Sequence, residues 1–269
     1  MILAACSLKT LYNHLDIFIA EYISEMVSLD DALSSRVDME SIAFHAWHRQ
    51  TQLNEYAAWL DALQSDARAD ISEAEVLAHM GRLESFWNTL LDRAFHESAD
   101  LMALLDESQQ NELFEHIETR NSDFYQKYVD LTDAERIDQF IERIEDSLEP
   151  WLDDFTSEQE RLIAKLAAQL KPFAAERFRE RQRWQRELLP VLKARVPVET
   201  KTSQLRTFFK QFAENKNSSI DSKKAYNKQL MAKFIVKLFK SMNLEQMTYL
   251  KTRLAEYAQT LRELAVDID

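Results

Sequence analysis

Apolar residues recur along this chain at spacings of three and four, which puts them on one face of an α-helix. The clearest case lies between Lys223 and Met242. Tyr226, Leu230, Phe234, Leu238 and Met242 form one row, and Met231, Ile235 and Phe239 form the row beside it. A second pattern punctuates the apolar runs: an apolar residue, then Ser, Thr, Asp or Asn, two residues, then Glu, Gln or Asp. It occurs at Val27-Ser28…Asp31, Ile71-Ser72…Glu75, Leu105-Asp106…Gln109, Leu131-Thr132…Glu135, Phe155-Thr156…Gln159 and Met242-Asn243…Gln246. Physically this is a helix start. The short polar side chain accepts from an orphan amide of the first turn, and the longer one reaches back to the cap amide. Ile71 with Val76, and Met242 with Met247, are placed to close hydrophobic staples across two of these caps.

These starts predict ten helices, at about 8–26, 29–66, 73–104, 107–129, 133–153, 157–170, 173–195, 201–215, 221–241 and 244–265. Pro172 suits a first-turn position. Pro150 and Pro190 fall inside apolar periodic stretches and predict kinks or breaks. Val196-Pro197-Val198 and residues 215–219 read as loops, the second one mobile. The single glycine, Gly81, falls inside a helical stretch and suggests a close helix crossing.

Composition points to the same class. One glycine and four prolines in 269 residues are too few for frequent hairpins. The expected fold is all-α, an irregular multi-helix bundle of about 8–10 helices. Charge divides the chain. Residues 1–192 hold 18 Lys+Arg against 38 Asp+Glu, whereas residues 193–253 hold 14 against 4. The organisation expected is an acidic helical body over residues 7–197, with a basic helical segment over 198–269 packed on it. An overall net charge of −13 argues against nucleic acid as a partner.

Leu3-Ala4-Ala5-Cys6 has the form of a bacterial lipobox, and the chain has no other cysteine. On that reading residues 1–6 are the remnant of a signal and Cys6 accepts lipid. Ser7, rather than aspartate, resembles the outer-membrane sorting case. The competing reading is an apolar helix start with a chance cysteine, since only Met1 to Ala5 precede Cys6 and a secretory apolar core is roughly 7–15 residues long.

The capping pattern resembles the Leu-Thr-x-x-Gln motifs of small periplasmic stress chaperones of the Spy and CpxP type. A broader ordered set runs from Cys6 through His45-Ala46-Trp47-His48-Arg49 with Leu53 and Tyr56. It continues through Phe124-Tyr125-Gln126-Lys127-Tyr128, Leu131-Thr132, Phe155 to Gln159, Arg183-Trp184-Gln185 with Leu188-Leu189, and Met242 to Gln246. This set resembles an uncharacterised family of proteobacterial lipoproteins carrying a domain of unknown function, number 6279. Asn54 departs from it, where the pattern has proline. The resemblance implies an all-helical envelope lipoprotein, lipid-anchored to the periplasmic face of the outer membrane, and supplies no activity.

Three groups could carry chemistry. His45 and His48, at i and i+3, share a helix face and could hold zinc if a carboxylate joined them, though no His-Glu-x-x-His pattern is present. The alternative is that they hydrogen-bond between helices. Arg177, Arg179, Arg181, Arg183 and Arg186 crowd around Trp184, a combination suited to phosphate or carboxylate groups; the alternative is bridging to acidic helices. Asp138, Glu142, Glu145 and Glu149 could bind a divalent cation but read more simply as a solvated face. The basic amphipathic stretch from Lys223 to Met242 could lie on an anionic membrane, or face a core. The expectation is a non-enzymatic envelope lipoprotein without cofactor or resident metal. Its role would be chaperone-like binding of an envelope client or scaffolding, with possible contacts at His45, His48, Arg179, Arg183 and Trp184. The alternative is a metal-dependent hydrolase using His45 and His48.

Overall fold

The computed structural model describes residues 2–214 and 217–266; for residues 2–7 and Ser218 it describes the backbone alone. Twelve helices and no strand lie among the described residues. They are α1 (Ile2–Asn13), α2 (Leu15–Met26), α3 (Asp31–Thr51), α4 (Leu53–Asp66), α5 (Glu73–Leu104) and α6 (Glu107–Tyr128). They continue as α7 (Asp133–Leu152), α8 (Ser157–Gln169), α9 (Ala174–Leu192), α10 (Val198–Glu214), α11 (Ser218–Ser241) and α12 (Leu244–Val266). The fold is all-α, as the periodicity and the caps require.

Five of the six expected caps form as read. Ser72 with Glu75, Asp106 with Gln109, Thr132 with Glu135 and Thr156 with Gln159 make reciprocal capping boxes. Asn243 and Gln246 exchange the same two bonds. Each such cap stabilises by about 1 kcal/mol. The sixth moves two residues on. Asp30, not Ser28, caps α3 by accepting from the Leu33 amide at 2.8 Å. Ser28 is engaged elsewhere, its amide donating to Glu112 and its carbonyl accepting from Gln109, so α6 holds it.

Two expected helices are each two. The stretch from 8 breaks at His14, and the stretch from 29 breaks at Gln52. Gln52 keeps near-helical backbone angles (φ −106°, ψ −38°), so the break is a one-residue bend. Asn54 lies in the first turn of α4, a place that tolerates the proline of the family pattern. Pro150 and Pro190 both sit inside helices, but α7 and α9 end two residues after them, so neither kinks a helix mid-course. Past Leu152 the chain turns through Asp153 at φ 68°. Pro172 is not in a first turn: it precedes Phe173, which caps α9. Of the loop expected at 215–219, residues 215 and 216 lie outside the described residues. Asn217 instead caps α11, and Ser218 and Ser219 are its first turn. Gly81 serves no crossing, because a Cβ added there would meet nothing within 4 Å.

Three apolar clusters make the interior. The first joins the loop before α3 and the end of α5 to α6, α9 and α10, around Leu188, Leu192 and Leu205. The second joins α4, the start of α5, α11 and α12, around Ala57, Leu254 and Ala258. The third joins α7, α8 and α11, around Leu152 and Ile163. The 32-residue α5 runs through the first two, and α11 is the wall between the second and the third. The residues of the expected staples, Ile71, Val76, Met242 and Met247, all pack in the second cluster.

The basic helices are packed among the acidic ones. Arg206 of α10 bonds both carboxylate oxygens of Asp100 at 2.8 Å. Lys228 meets Glu84 at 2.6 Å, and Lys223 pairs with Glu176. These bonds are partly exposed and each is worth about 0–1 kcal/mol, so apolar burial dominates. Phe234, Leu238 and Phe239 are buried. The apolar face of α11 therefore faces a core and is not free to lie on a membrane.

Candidate functional site

His45 and His48 lie on the inner face of α3, where α1 and α2 cross it. The Tyr12 hydroxyl and His48 Nδ1 are 2.8 Å apart, and the Tyr12 ring meets His45 edge-on at 4.9 Å. His45 Nδ1 stands 3.5 Å from an Asp16 carboxylate oxygen, and its Nε2 stands 3.5 Å from the Arg49 guanidinium. Arg49 continues outward, donating to Asn13 at 3.0 Å and to the Leu264 carbonyl at 3.1 Å. Burial pushes the His48 pKa down to about 4, with the neighbouring His45 adding to the shift. Burial, and then Arg49, also lower His45, with Asp16 opposing them. Both imidazoles are therefore neutral at neutral pH.

This geometry ties helices together. A guanidinium beside His45 Nε2 repels a cation, and the Tyr12 hydroxyl occupies one nitrogen of His48. No group of three His, Cys, Asp or Glu among the described residues is arranged to hold a metal ion. The hydrogen-bonding alternative read from sequence is what the pair does. The carboxylates of α7 do not converge either, and Asp138, Glu142 and Glu149 are exposed.

The arginine cluster comes apart on folding. Trp184 turns inward onto Phe208, Phe209 and Phe212, with ring centroids 5.7–6.3 Å away. Its indole nitrogen is buried without a hydrogen-bond partner. Arg179 and Arg183, four residues apart, point to solvent, and Arg183 reaches Glu187 only at 3.9 Å. Arg181 lies over the Phe124 ring at 5.0 Å. The expected joint site of Arg179, Arg183 and Trp184 is thus not assembled, because successive residues of a helix point about 100° apart. Cys6 belongs to the backbone of α1, and its side chain lies outside the described residues. No described helix is long and apolar enough to cross a membrane.

A surface that the sequence pattern did not single out lies between α2 and α3. Ile17, Ala20 and Ile42 floor an open groove of about 680 Å³, and Glu21, Glu25 and Asp38 rim it. Ile17 is 48% exposed and Ile42 57%. Phe18, Tyr22 and Met39, close by in sequence, are exposed too. The signal that could have found it is composition within one helix. Eight of the twelve residues of α2 are apolar, yet α2 buries none of them. A helix apolar on most sides is ordinarily buried.

These features define an all-α protein with a neutral, helix-tying histidine pair and an open groove with an apolar floor and an acidic rim. Within that class, the chain belongs to a family of unknown function, DUF6279, which it matches over residues 25–215. Cys6 and the Met242–Gln246 cap lie outside the matched span. No curated protein and no solved structure matches the chain.

Proposed function

We propose that this protein is a non-enzymatic binding protein of the bacterial envelope. It is held through lipid on Cys6 at the periplasmic face of the outer membrane, and it acts in a chaperone-like or scaffolding way on an envelope client. The observation that supports binding is the open apolar groove of α2 and α3, set against histidines that are occupied in tying helices. Exposed apolar surface of this kind marks interaction sites more than chemistry.

Two measurements test the reading. Substoichiometric to equimolar protein should suppress the aggregation of a reduced, unfolding model client, and Ile17→Ser with Ile42→Ser should weaken that suppression. No suppression by the wild type would sink the chaperone-like role. Expressed behind a complete secretory signal, Cys6→Ala should move the protein from the membrane to the soluble periplasmic fraction. Equal membrane retention of both forms would remove the anchor.

A further inference from the structure

Three facts about α2 belong together. Eight of its twelve residues are apolar, it buries none of them fully, and its exposed side opens onto α3. The residues of the groove fall at helical spacing on two facing helices. Ile17, Ala20 and Ser24 fall at i, i+3 and i+7 along α2, and Asp38 and Ile42 fall at i and i+4 along α3. The result is a floor flanked by two helical edges, the form that accepts a third helix.

The charge of the edges selects the occupant. Asp16, Glu21, Glu25 and Asp38 line the groove, and no Lys or Arg lines it. Among the described residues, Asp16 pairs with His45, and no ion pair holds Glu21, Glu25 or Asp38. Arg36, the nearest cation in sequence on α3, is committed to Glu40 at 2.6 Å. An anionic lipid surface would be repelled by such a rim, as would an acidic peptide.

We propose that the groove between α2 and α3 receives a cationic amphipathic helix of a partner protein. Its apolar stripe covers Ile17, Ala20 and Ile42, and its Lys or Arg side chains meet Glu21, Glu25 and Asp38. This rests on the binding role proposed above and names the partner's chemistry. Apolar contact supplies most of the affinity, while the rim sets the sign of the partner and the rate of encounter.

The full chain is titrated against a labelled synthetic amphipathic helix bearing lysines, against its glutamate-bearing counterpart, and against vesicles of phosphatidylglycerol. Anisotropy and flotation are the readouts. The lysine helix should bind saturably at one site and the glutamate helix should not. Ile17→Ser with Ile42→Ser should weaken the lysine helix at least about tenfold. Glu21→Gln, Glu25→Gln and Asp38→Asn together should weaken it about tenfold at low salt and flatten its salt dependence. All these side chains are exposed, so circular dichroism of the variants should match the wild type. Equal binding of both helices, insensitivity to either set of substitutions, or vesicle binding through the same residues would each overturn the proposal. If the charge-neutral triple variant still suppresses client aggregation while the wild type ignores the lysine helix, the cationic occupant is wrong and the binding role stands. If the wild type suppresses no aggregation yet binds the lysine helix through the groove, the occupant is right and the chaperone-like role is wrong.

Discussion

Helices α2 and α11 are both amphipathic and both rich in apolar residues, and the molecule treats them oppositely. Eight of the twelve residues of α2 are apolar, against eleven of the 24 in α11. Yet α11 buries Ile220, Ala232, Phe234, Leu238 and Phe239, whereas α2 buries nothing. Apolar content alone does not decide burial. The apolar residues of α11 fall on two adjoining rows, and a partner waits on either side, with α8 on one and α5 and α12 on the other. The apolar residues of α2 are spread around its circumference with Asp16, Glu21 and Glu25 between them. One side faces α3, Met26 reaches the first cluster, and Ile17, Phe18 and Tyr22 are left exposed.

The contrast is strongest at matched phenylalanines. Phe234 is 5% exposed and packs in the third cluster. Phe234→Ala should lower stability by about 3–5 kcal/mol in urea unfolding. A loss under about 1 kcal/mol would mean that α11 is loosely seated, and the comparison would fail at its firmer end.

Beneath α11, the seating of α8 rests on an unusual contact. Gln159 and Gln246, each the closing residue of its own helix cap, also bond each other through both amides at 2.9 Å. Gln159 is fully buried. Gln246 also donates to the Asp154 carbonyl at 2.8 Å, and Gln159 also accepts from the Thr156 amide at 2.9 Å. Gln159→Leu should cost about 1–3 kcal/mol, because it removes both amide bonds to Gln246 and the acceptor of the Thr156 amide. Adding Gln246→Leu should cost less than the sum of the two single changes, since each single change already breaks the shared pair of amide bonds. Strict additivity in a double-mutant cycle would show the two glutamines acting only as separate caps.

Acid should act at the other end of the comparison. His48, against Tyr12, sits where α1 and α2 attach. It is neutral in the folded protein down to about pH 4, whereas the unfolded chain takes up its proton near pH 6.5. Between those values the unfolded state binds more protons. Stability is intact above pH 6.5 and falls as pH drops toward 4. Discounted for the part of the ring that water reaches, the loss from His48 is about 1–2 kcal/mol. The lowered His45 acts in the same direction. Hydrogen exchange should show α1 and α2 loosening before α11, and His48→Gln should flatten the pH profile. An unchanged profile in that variant would detach His48 from the effect.

Sequence and structure agree where the signal is local and chemical. Caps such as Thr132 with Glu135 were legible because each is a short-range exchange of hydrogen bonds that needs no tertiary partner. The apolar rows of α11 were legible because they repeat over more than four turns. The breaks at His14 and Gln52 were not, because neither carries a proline, a glycine or a side-chain cap, and Gln52 stays nearly helical. The arginines around Trp184 misled because nearness in sequence is not nearness on a face. The groove of α2 and α3 was invisible for a related reason: it is made by pairing two helices and then leaving one side uncovered.

Gly81 makes a smaller test of what covers what. A methyl group there meets no neighbour, and alanine is the better helix former. Gly81→Ala should raise stability by about 0.5–1 kcal/mol. A decrease in thermal unfolding temperature would place a neighbour against α5 where the fold leaves open space.

The smallest expected effect completes the pairing. Phe18 of α2 is 43% exposed and belongs to none of the three clusters. The substitution that is severe at Phe234 should be nearly silent here. In Phe18→Ala little apolar burial is given up, and the better helix propensity of alanine offsets it. Stability should change by no more than about 0.5 kcal/mol. Chemical unfolding of the two alanine variants side by side checks this. Near-equal losses would show that α2 is packed in solution after all, whether by another part of the chain or by a second copy. Dilution then tells them apart, since only packing by a second copy weakens as the protein concentration falls.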